Sequence, residues 1–379
     1  MEKLFIKVAV VMFLFGTIWC SKGAMLVQAA QTDAKYMQDV LVDEAHFPDK
    51  NFRKNVEDLL DTNKDGILSK AERENVYYVE IGGVGYKNTW YTDMKFAGYS
   101  HEYAPGKSVT EEEIEVSSTS KKTFSISLKD FSTGRPVEVM DITGIEYLFN
   151  LEEILVTDYS IQKGSLKHNA NLKKVWVKSS SYGAVSYEKI QKEIPLEQLS
   201  YLHMINIKIP SKGLNVMDMP KLEVLRIILP NGTNQTMKAL DLSKNKALKD
   251  LELANITPAA LDLRKNTKLT SVKVYTGKPK RKKKSGYYYY QPKKKVSCKI
   301  QFPKKNSIDT LYYFVDNTSL DAQNLTKLED LHTLKTTRIK VKSSWVRETF
   351  NKKTWACVFA KNGMDQKKVK ASKKKVTIL

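Results

Sequence analysis

The apolar residues between Ala239 and Val274 follow a pattern that occurs twice. The segment ALDLSKNKALKDLEL returns 21 residues later as ALDLRKNTKLTSVKV, with seven of fifteen positions identical. In each copy three aliphatic residues are spaced as L-x-x-L-x-L, namely Leu248, Leu251 and Leu253, then Leu269, Val272 and Val274. The last two alternate with polar residues, which predicts a short strand with one buried face. One such unit cannot bury that face alone, so neighbouring units must stack on it.

The same spacing continues in both directions along the chain. It selects Leu151, Ile154 and Val156; Leu172, Val175 and Val177; Leu202, Ile205 and Ile207; and Leu222, Leu225 and Ile227. Weaker units contain Ile308, Leu311 and Tyr313, then Leu328 and Leu331. A further leucine stands eight residues before four of the strands, at Leu214, Leu240, Leu261 and Leu320. This periodicity is typical of a leucine-rich repeat. We therefore predict an α/β repeat fold over residues 137–334, a solenoid (horseshoe) with short parallel strands and irregular repeats.

Residues 1–30 have the pattern of a secretory signal peptide. Lys3 and Lys7 accompany a mostly apolar run from Val8 to Cys20, and small residues around Ala29 and Ala30 offer a cleavage site. The run is too short to span a bilayer comfortably. We therefore expect an exported mature chain without a transmembrane anchor, either secreted or associated with the cell surface.

A calcium-binding loop is predicted within an EF-hand-like helix–loop–helix at residues 44–80. The spacing D-x-N-x-D-G-x-L-S-x-x-E follows an amphipathic helix, and Gly66 permits the sharp turn. Calcium is a hard cation that takes six to eight oxygen ligands. The expected ligands are Asp61, Asn63, Asp65, the main-chain carbonyl of Ile67, Ser69 and Glu72. A single exported hand indicates a structural calcium site rather than a sensor.

The order of these features resembles the leucine-rich-repeat surface and secreted proteins of Gram-positive gut bacteria. The resemblance rests on FPDKNFR, the EF-hand-like loop, TGIEYLFNLEE and the DLSKN turn. It implies an extracellular binding or adhesion protein without catalytic machinery. Where that family carries asparagines at the strand ends, this chain has Tyr159, Ser180, Pro210 and Pro230. We therefore do not expect a regular asparagine ladder at those ends.

Two further regions complete the expected organisation. Residues 81–136 are predicted to form an N-terminal cap of the solenoid, with a strand at Thr123–Leu128, where polar and apolar residues alternate. Residues 335–379 are predicted to form a basic β-structured C-terminal cap, whose lysines would discourage association through its edge strands.

The positive charge of the chain is concentrated in two blocks. The formal net charge is +21, but residues 275–305 contain twelve basic and no acidic residues, and residues 335–375 contain fourteen basic and two acidic ones. The remainder is therefore slightly acidic. The first block interrupts the repeats as an insertion at 276–295, expected to be a loop or hairpin. It is either a solvated insertion or a polyanion-binding arm. The residues of such an arm would be Lys280, Arg281, Lys282, Lys283, Lys284, Lys293, Lys294 and Lys295.

The mature chain retains Cys298 and Cys357. An oxidising compartment would allow these two residues to form a disulfide, but two separate buried thiols fit the sequence equally well.

The predicted ligand site is the concave face of the solenoid. Residues that alternate with the buried ones line this face. The candidates are Lys174, Trp176, Lys178, Asn206, Arg226, Glu252 and Lys273, and Trp176 offers a large apolar surface between two lysines.

We find no protease, hydrolase or phosphate-binding motif, so the sequence does not indicate an enzyme. Two function hypotheses follow. In the first, the concave face recognises an extracellular protein or glycan. In the second, the basic arm and tail hold the protein on anionic cell-wall polymers, with the repeats as a scaffold. Export makes intracellular nucleic acid an unexpected partner.

Overall fold

The computed structural model describes residues 35–82, 122–127, 141–157, 163–179, 183, 185–230, 233–276, 278–281, 288–291, 297–315, 319–328, 330–333, 338–341 and 376–378. The predicted signal peptide, most of the predicted N-terminal cap and most of the basic tail lie outside these residues.

The described part of the chain is rich in short strands and contains few helices. In chain order the elements are β1 (Val40–Leu41), α1 (Lys50–Leu59), β2 (Ile67–Leu68), α2 (Lys70–Arg73), β3 (Val76–Gly82), β4 (Lys122–Ser127), β5 (Glu153–Thr157), β6 (Lys174–Lys178), α3 (Tyr187–Glu193), β7 (Tyr201–Ile205), β8 (Leu214–Asn215), β9 (Val224–Ile228), β10 (Gln235–Met237), β11 (Leu240–Asp241), β12 (Asp250–Ala254), β13 (Ile256–Pro258), β14 (Ala260–Asp262), β15 (Ser271–Tyr275), β16 (Lys278–Arg281), β17 (Tyr288–Gln291), β18 (Lys299–Gln301), β19 (Thr310–Phe314), β20 (Ser319–Asp321), β21 (Asp330–Thr333), β22 (Arg338–Val341) and β23 (Val376–Ile378). Three 3₁₀ turns, Ile145–Tyr147, Leu166–His168 and Leu196–Gln198, precede main-sheet strands.

A ten-stranded sheet organises the molecule, in the order β21-β19-β15-β12-β9-β7-β6-β5-β3-β4. All neighbours in this sheet are parallel. Parallel neighbours require a connection of about a dozen residues or more, which the length of each repeat supplies. The fold is therefore an α/β arrangement dominated by parallel strands.

The two faces of this sheet differ in character. One face buries most of the aliphatic residues that the spacing selects, and Leu225, Leu251 and Val272 lie side by side in register with no exposed surface. The intervening residues lie on the opposite face, which we call the outer face. The parallel register places equivalent outer-face residues of successive strands in rows across the sheet.

A second set of short parallel strands lies opposite the main sheet. β8 pairs with β11, β14 with β18, and β20 with β22. Leu214, Leu240, Leu261 and Leu320, the leucines eight residues before the strand leucines, all belong to these strands and are buried. They contribute to a single apolar core that extends from Val40 to Leu328. Each repeat is thus closed from both sides by aliphatic side chains of its neighbours.

Buried asparagines bind the turns of successive repeats to one another. The Nδ2 group of Asn245 donates to the carbonyl oxygens of Val216 and Met219, both at 2.8 Å. In the same way, the Nδ2 group of Asn266 donates to the carbonyl oxygens of Leu242 and Asn245, both at 2.9 Å. Asn169 does the same towards the carbonyls of Ile145 and Leu148. Each of these turn carbonyls also accepts a main-chain N–H from its own turn, and the asparagine amide of the next repeat supplies a second donor.

Asparagines also occur at two strand ends. Asn206 and Asn255 follow β7 and β12 with φ values of 60° and 57°, a left-handed conformation that asparagine tolerates well. Their Nδ2 groups donate to the carbonyls of Ser179 and Leu229. Of the four strand-end positions at which no ladder is expected, Pro210 and Pro230 belong to the described residues, whereas Tyr159 and Ser180 lie outside them. The ladder in the preceding turns was not predicted.

The N-terminal residues fold into a helix, a loop and a short second helix. Asp49 caps α1, because its carboxylate accepts the main-chain N–H groups of Asn51 and Phe52. Ser69 and Glu72 form a capping box at the start of α2. β1 pairs antiparallel with β2, the strand within the loop. The second helix of the predicted helix–loop–helix is short, because the chain becomes extended at Val76 to form β3.

A buried arginine joins this N-terminal unit to the first repeat. Arg73 has no exposed surface, and its Nη1 donates to the carbonyls of Tyr36 at 2.9 Å and Tyr147 at 3.1 Å. Its guanidinium also lies over the rings of Tyr147 and Phe149. Nearby, Gly144 packs so closely on Phe47 that a Cβ atom would approach the Phe47 ring within 2.3 Å. The junction is therefore a packed interface.

The boundaries at this end differ from those predicted. β3 and the predicted strand, present as β4, belong to the main sheet, so the sheet begins before residue 137. The unit predicted at 44–80 also includes β1 and Tyr36, whose carbonyl accepts from Arg73, and both precede residue 44. The spacing could not reveal this, because β3 follows α2 directly and has no L-x-x-L turn before it.

We expect Asn245→Ala to lower the free energy of unfolding by about 1 to 3 kcal/mol, because two buried carbonyls lose their side-chain donor and keep only a main-chain N–H. Urea unfolding followed by far-ultraviolet circular dichroism measures this loss. Lys244→Ala, at the exposed neighbouring position, is the control and should be close to neutral. Equal unfolding midpoints for the two variants would contradict the structural role of the ladder.

Candidate functional site

An aromatic pair lies on the outer face where β6 and β7 are neighbours. The rings of Trp176 and Tyr201 are both partly exposed, with centroids 4.7 Å apart and planes inclined at 38°. Such tilted contacts suit the charge distribution of aromatic rings. The guanidinium of Arg226, on the next strand, lies 6.0 Å from the centre of the Tyr201 ring. The pair therefore packs against its neighbours and remains partly exposed.

Two small apolar clusters separate from the main core occupy the same face. One contains Tyr78 and Leu155, with Trp176 and Ile205 packed against it. The other contains Ile228, Ala254 and Tyr275, with Ile205 and Tyr312 packed against it. Ile205 contacts both clusters. The outer face is thus more apolar than a fully solvated sheet surface, a feature common at interaction surfaces.

Charged residues occupy the centre of the outer face. The Nε of Arg226 donates to Oδ2 of Asp250 at 2.9 Å and lies 3.8 Å from Oε2 of Glu252. The hydroxyl of Tyr275 donates to Oε1 of Glu252 at 2.8 Å. Only 4% of the Glu252 side chain and 14% of the Asp250 side chain are exposed. These charges are largely shielded from water, so the cost of burying them must be offset by their partners.

The burial of this cluster changes its protonation equilibria. Burial raises the pKa of Glu252, although Lys273 and Arg226 partly oppose the shift. Burial also opposes ionisation of Asp250, but the charges of Arg226 and Lys273 outweigh it and hold its pKa below the usual value. Burial, with the nearby charge of Arg226, lowers the pKa of His203 to about 3. His203 is therefore neutral at physiological pH.

Most of the predicted ligand residues lie together on the outer face. Lys174, Trp176, Lys178, Arg226, Glu252 and Lys273 occupy outer-face positions of four strands. Lys174 pairs with Glu153 of β5, and Lys273 lies over the ring of Tyr312 at 5.5 Å. Lys178 is buried. These positions are where the alternation predicted them, and ligand binding by these residues stays a prediction.

Asn206 is the exception, because the register assigned to β7 was wrong. Met204, expected outward, is fully buried, and Ile205, expected inward, lies on the outer face. Asn206 ends the strand in a left-handed conformation, which breaks the alternation and returns Ile207 to the core. The true repeat triplet is Leu199, Leu202 and Met204, all buried. Asn206 is therefore a strand-end residue bonded to Ser179.

This register error concealed two residues of the face on β7, and a third face residue, on β19, was not among the predicted ligand residues. Tyr201 and His203 are the actual outer-face residues of β7 beside Trp176, and Tyr312 is their counterpart on β19. The sequence contains a signal for Tyr201 and His203, because Leu199-x-x-Leu202-x-Met204 satisfies the repeat spacing as well as Leu202, Ile205 and Ile207 do.

The predicted calcium loop is held by hydrogen bonds of its own side chains. Asp61 accepts the N–H of Gly66 at 3.0 Å, Asn63 accepts that of Asp65 at 3.1 Å, and Asp65 accepts that of Ile67 at 2.8 Å. Asp61 is 2% exposed, and its Oδ1 has no hydrogen-bond partner within the described structure. A buried carboxylate oxygen without a donor is costly, and a cation would satisfy it. This part of the loop fits calcium.

The other end of the loop is arranged differently. Glu72 accepts the main-chain N–H and hydroxyl of Thr62 on one carboxylate oxygen, and those of Ser69 on the other. Burial opposes its charge, but these hydrogen bonds outweigh it and lower the pKa of Glu72 to about 2. In the described part of the chain no three acidic, imidazole or thiol groups converge on one metal position. Bidentate binding by Glu72 would therefore require it to release some of these bonds.

The basic insertion contains a β-hairpin. β16 pairs antiparallel with β17, placing Lys280 opposite Tyr289 and Arg281 opposite Tyr288. Lys282, Lys283, Lys284, Lys293, Lys294 and Lys295 lie outside the described residues. The hairpin follows directly after β15, whose last residue, Tyr275, belongs to the outer face.

Of the two cysteines that could form a disulfide, Cys298 belongs to the described residues and Cys357 lies outside them. Cys298 is fully buried, and burial raises the pKa of its thiol to about 12. Its thiolate is therefore scarce at neutral pH, which disfavours reactivity.

Comparisons with known proteins find matches among solved structures. No protein-family model and no curated protein matches the chain. Among solved structures, it is similar to the functional domain of InlJ from Listeria monocytogenes, with a TM-score of 0.36 and 12% sequence identity. The match covers 80% of this chain and 56% of that chain. The InlJ domain includes a cysteine ladder. Within the described part of our chain, no helix has the length and apolar character needed to cross a membrane.

We expect Arg226→Ala to lower the free energy of unfolding by about 3 to 5 kcal/mol at pH 7, because Asp250 and Glu252 would lose their buried cation. The loss should shrink as the pH falls towards 5. Removing Arg226 raises the already elevated pKa of Glu252 further, and the folded state then holds a proton that the unfolded state releases above about pH 4.3.

Urea unfolding at several pH values measures both effects. Lys174→Ala, which disrupts a more exposed ion pair, is the control and should cost less than about 1 kcal/mol with little pH dependence. A loss for Arg226→Ala that is small or does not vary with pH would contradict the buried network.

Proposed function

We propose that this chain is an exported leucine-rich-repeat interaction module whose outer face is the concave binding surface of a horseshoe. The observation that carries the proposal is the partly exposed Trp176–Tyr201 pair beside a desolvated charge network. Aromatic residues and arginine in such surroundings are common anchors of interfaces. We place its partner, a protein or glycan, outside the cell, and the protein itself in the medium or at the cell surface. The proposal includes no catalytic activity.

We further propose that the loop from Asp61 to Glu72 is a structural calcium site. Asp61, Asn63 and Asp65 would supply side-chain oxygens, Ile67 its carbonyl, and Ser69 and Glu72 the remaining contacts. When bound, calcium would neutralise the acidic loop and satisfy the buried Asp61 oxygen. Because β2 pairs with β1 and α2 carries Arg73, the loop lies within the packed N-terminal unit.

A second candidate function is retention on anionic cell-wall polymers by the basic hairpin. It is supported by the register of β16 and β17, in which Lys280 and Arg281 lie opposite Tyr289 and Tyr288. Phosphate-rich polymers would bind such an arm mainly through charge.

We expect Trp176→Ala to weaken binding of the labelled mature chain to intact cells and mucosal extracts at least about tenfold, as the loss of an interface anchor does. Deletion of residues 276–295 should leave this binding intact. Under the second candidate, the deletion should abolish binding and Trp176→Ala should leave it intact, and the binding should fall steeply as salt increases. Binding that survives Trp176→Ala and fails after the deletion would overturn the first proposal.

We expect calcium at about 10 mM to stabilise the wild type by about 2.7 kcal/mol, if the dissociation constant is about 0.1 mM. Asp61→Ala should not respond. Thermal unfolding with calcium and with chelator measures the difference. Asp58→Ala, which removes an exposed carboxylate of α1 paired with Lys54, is the control and should respond like the wild type. A wild type that melts identically with calcium and with chelator would argue against the site.

A further inference from the structure

The charge on the outer face is balanced, although the chain as a whole is strongly basic. Eight charged residues occupy outer-face positions from β3 to β19: Glu80, Glu153, Asp250 and Glu252, against Lys174, Lys178, Arg226 and Lys273. Four acids and four bases cancel, whereas the chain carries +21. The excess positive charge therefore lies elsewhere, and this face is not built to attract a polyanion.

Several of these charges are already paired on the protein. Lys174 bonds Glu153, Arg226 bonds Asp250, and Glu252 accepts the Tyr275 hydroxyl. A ligand with a net charge would enter this desolvated network as an uncompensated ion, which is costly. An uncharged ligand with hydroxyl groups can exchange hydrogen bonds with the partly exposed polar groups without disturbing the balance.

Aromatic surfaces lie on both sides of this polar centre. The Trp176–Tyr201 pair is on β6 and β7, and Tyr312 is on β19, four strand steps beyond β7, or about 19 Å at the usual strand spacing. Both surfaces are partly exposed. A ligand that contacts both must be elongated across the strands and must offer apolar faces as well as hydroxyl edges. A chain of sugar rings combines these properties.

We propose that the outer face binds an uncharged glycan chain, with one sugar against the Trp176–Tyr201 pair and another against Tyr312. Arg226, Asp250 and Lys273 exchange hydrogen bonds with hydroxyls between them. The proposal deepens the function proposed above for this face and depends on it. A protein partner is the alternative outcome, and the basic hairpin has no role in it.

An array of immobilised neutral, sialylated and sulfated oligosaccharides, probed with the labelled full mature chain, tests the proposal. We expect binding to neutral members that changes little between about 0.05 and 0.5 M salt, because it does not depend on ion release. Trp176→Ala and Tyr312→Ala should each weaken it about tenfold, and Trp176→Phe should retain most of it. Met217→Ala, an exposed apolar residue outside the main sheet, is the matched control and should bind like the wild type.

Circular dichroism and thermal unfolding of each variant separate lost binding from lost folding. Absence of binding to every neutral member overturns the proposal. If Trp176→Ala still abolishes binding to intact cells in that case, the face binds a protein, and the proposed function stands without this inference. If the chain binds only the acidic oligosaccharides, with an affinity that falls steeply as salt increases and that Trp176→Ala does not change, the inference is overturned in favour of the hairpin. Binding to neutral oligosaccharides that Trp176→Ala leaves unchanged also overturns the inference.

Discussion

The structure depends on the burial of aliphatic side chains between successive parallel strands. A five-residue strand turns only about two side chains inward, so no strand here can form a core alone. In register with its neighbours, however, Leu251 lies between Leu225 and Val272 and is completely buried. Each repeat is therefore stable only as part of the array, and the ends require other structure. At the N-terminal end, that structure is the helix–loop–helix unit that shares the core.

This constraint on the inner face leaves the outer face free to vary. The same register that aligns the leucines brings Trp176 beside His203 and Arg226 beside Glu252, although 27 and 26 residues separate these partners in sequence. Close rows allow charged and aromatic side chains to shield one another from water. Glu252, Asp250 and Arg226 thereby acquire altered pKa values on a sheet surface. The charged and aromatic residues of the outer face are thus brought together by the repeat register, but they are not part of the leucine spacing.

The sequence was most informative where spacing alone determines structure. The inward residues of β5, β6, β9, β12 and β15 follow from the leucine spacing, because burial and alternation agree there. β7 was misassigned because YLHMINI offers two alternations, and only the left-handed Asn206 decides between them. The Trp176–Tyr201 pair and the Arg226 network depend on contacts between repeats of unequal length. The hydrogen bonds that engage Glu72 depend on a loop conformation that the EF-hand spacing does not specify.

The buried asparagines also bear on the chemical lifetime of the protein. Slow hydrolysis converts an asparagine amide into a carboxylate. At Asn245 or Asn266, this would place a negative charge against two carbonyl dipoles in a dry turn, where the amide now donates two hydrogen bonds. A single damaged side chain would therefore break the hydrogen bonds that the amide makes to the adjacent repeat. Because these turns are buried, the shielding from water that makes such damage costly also slows the hydrolysis that causes it.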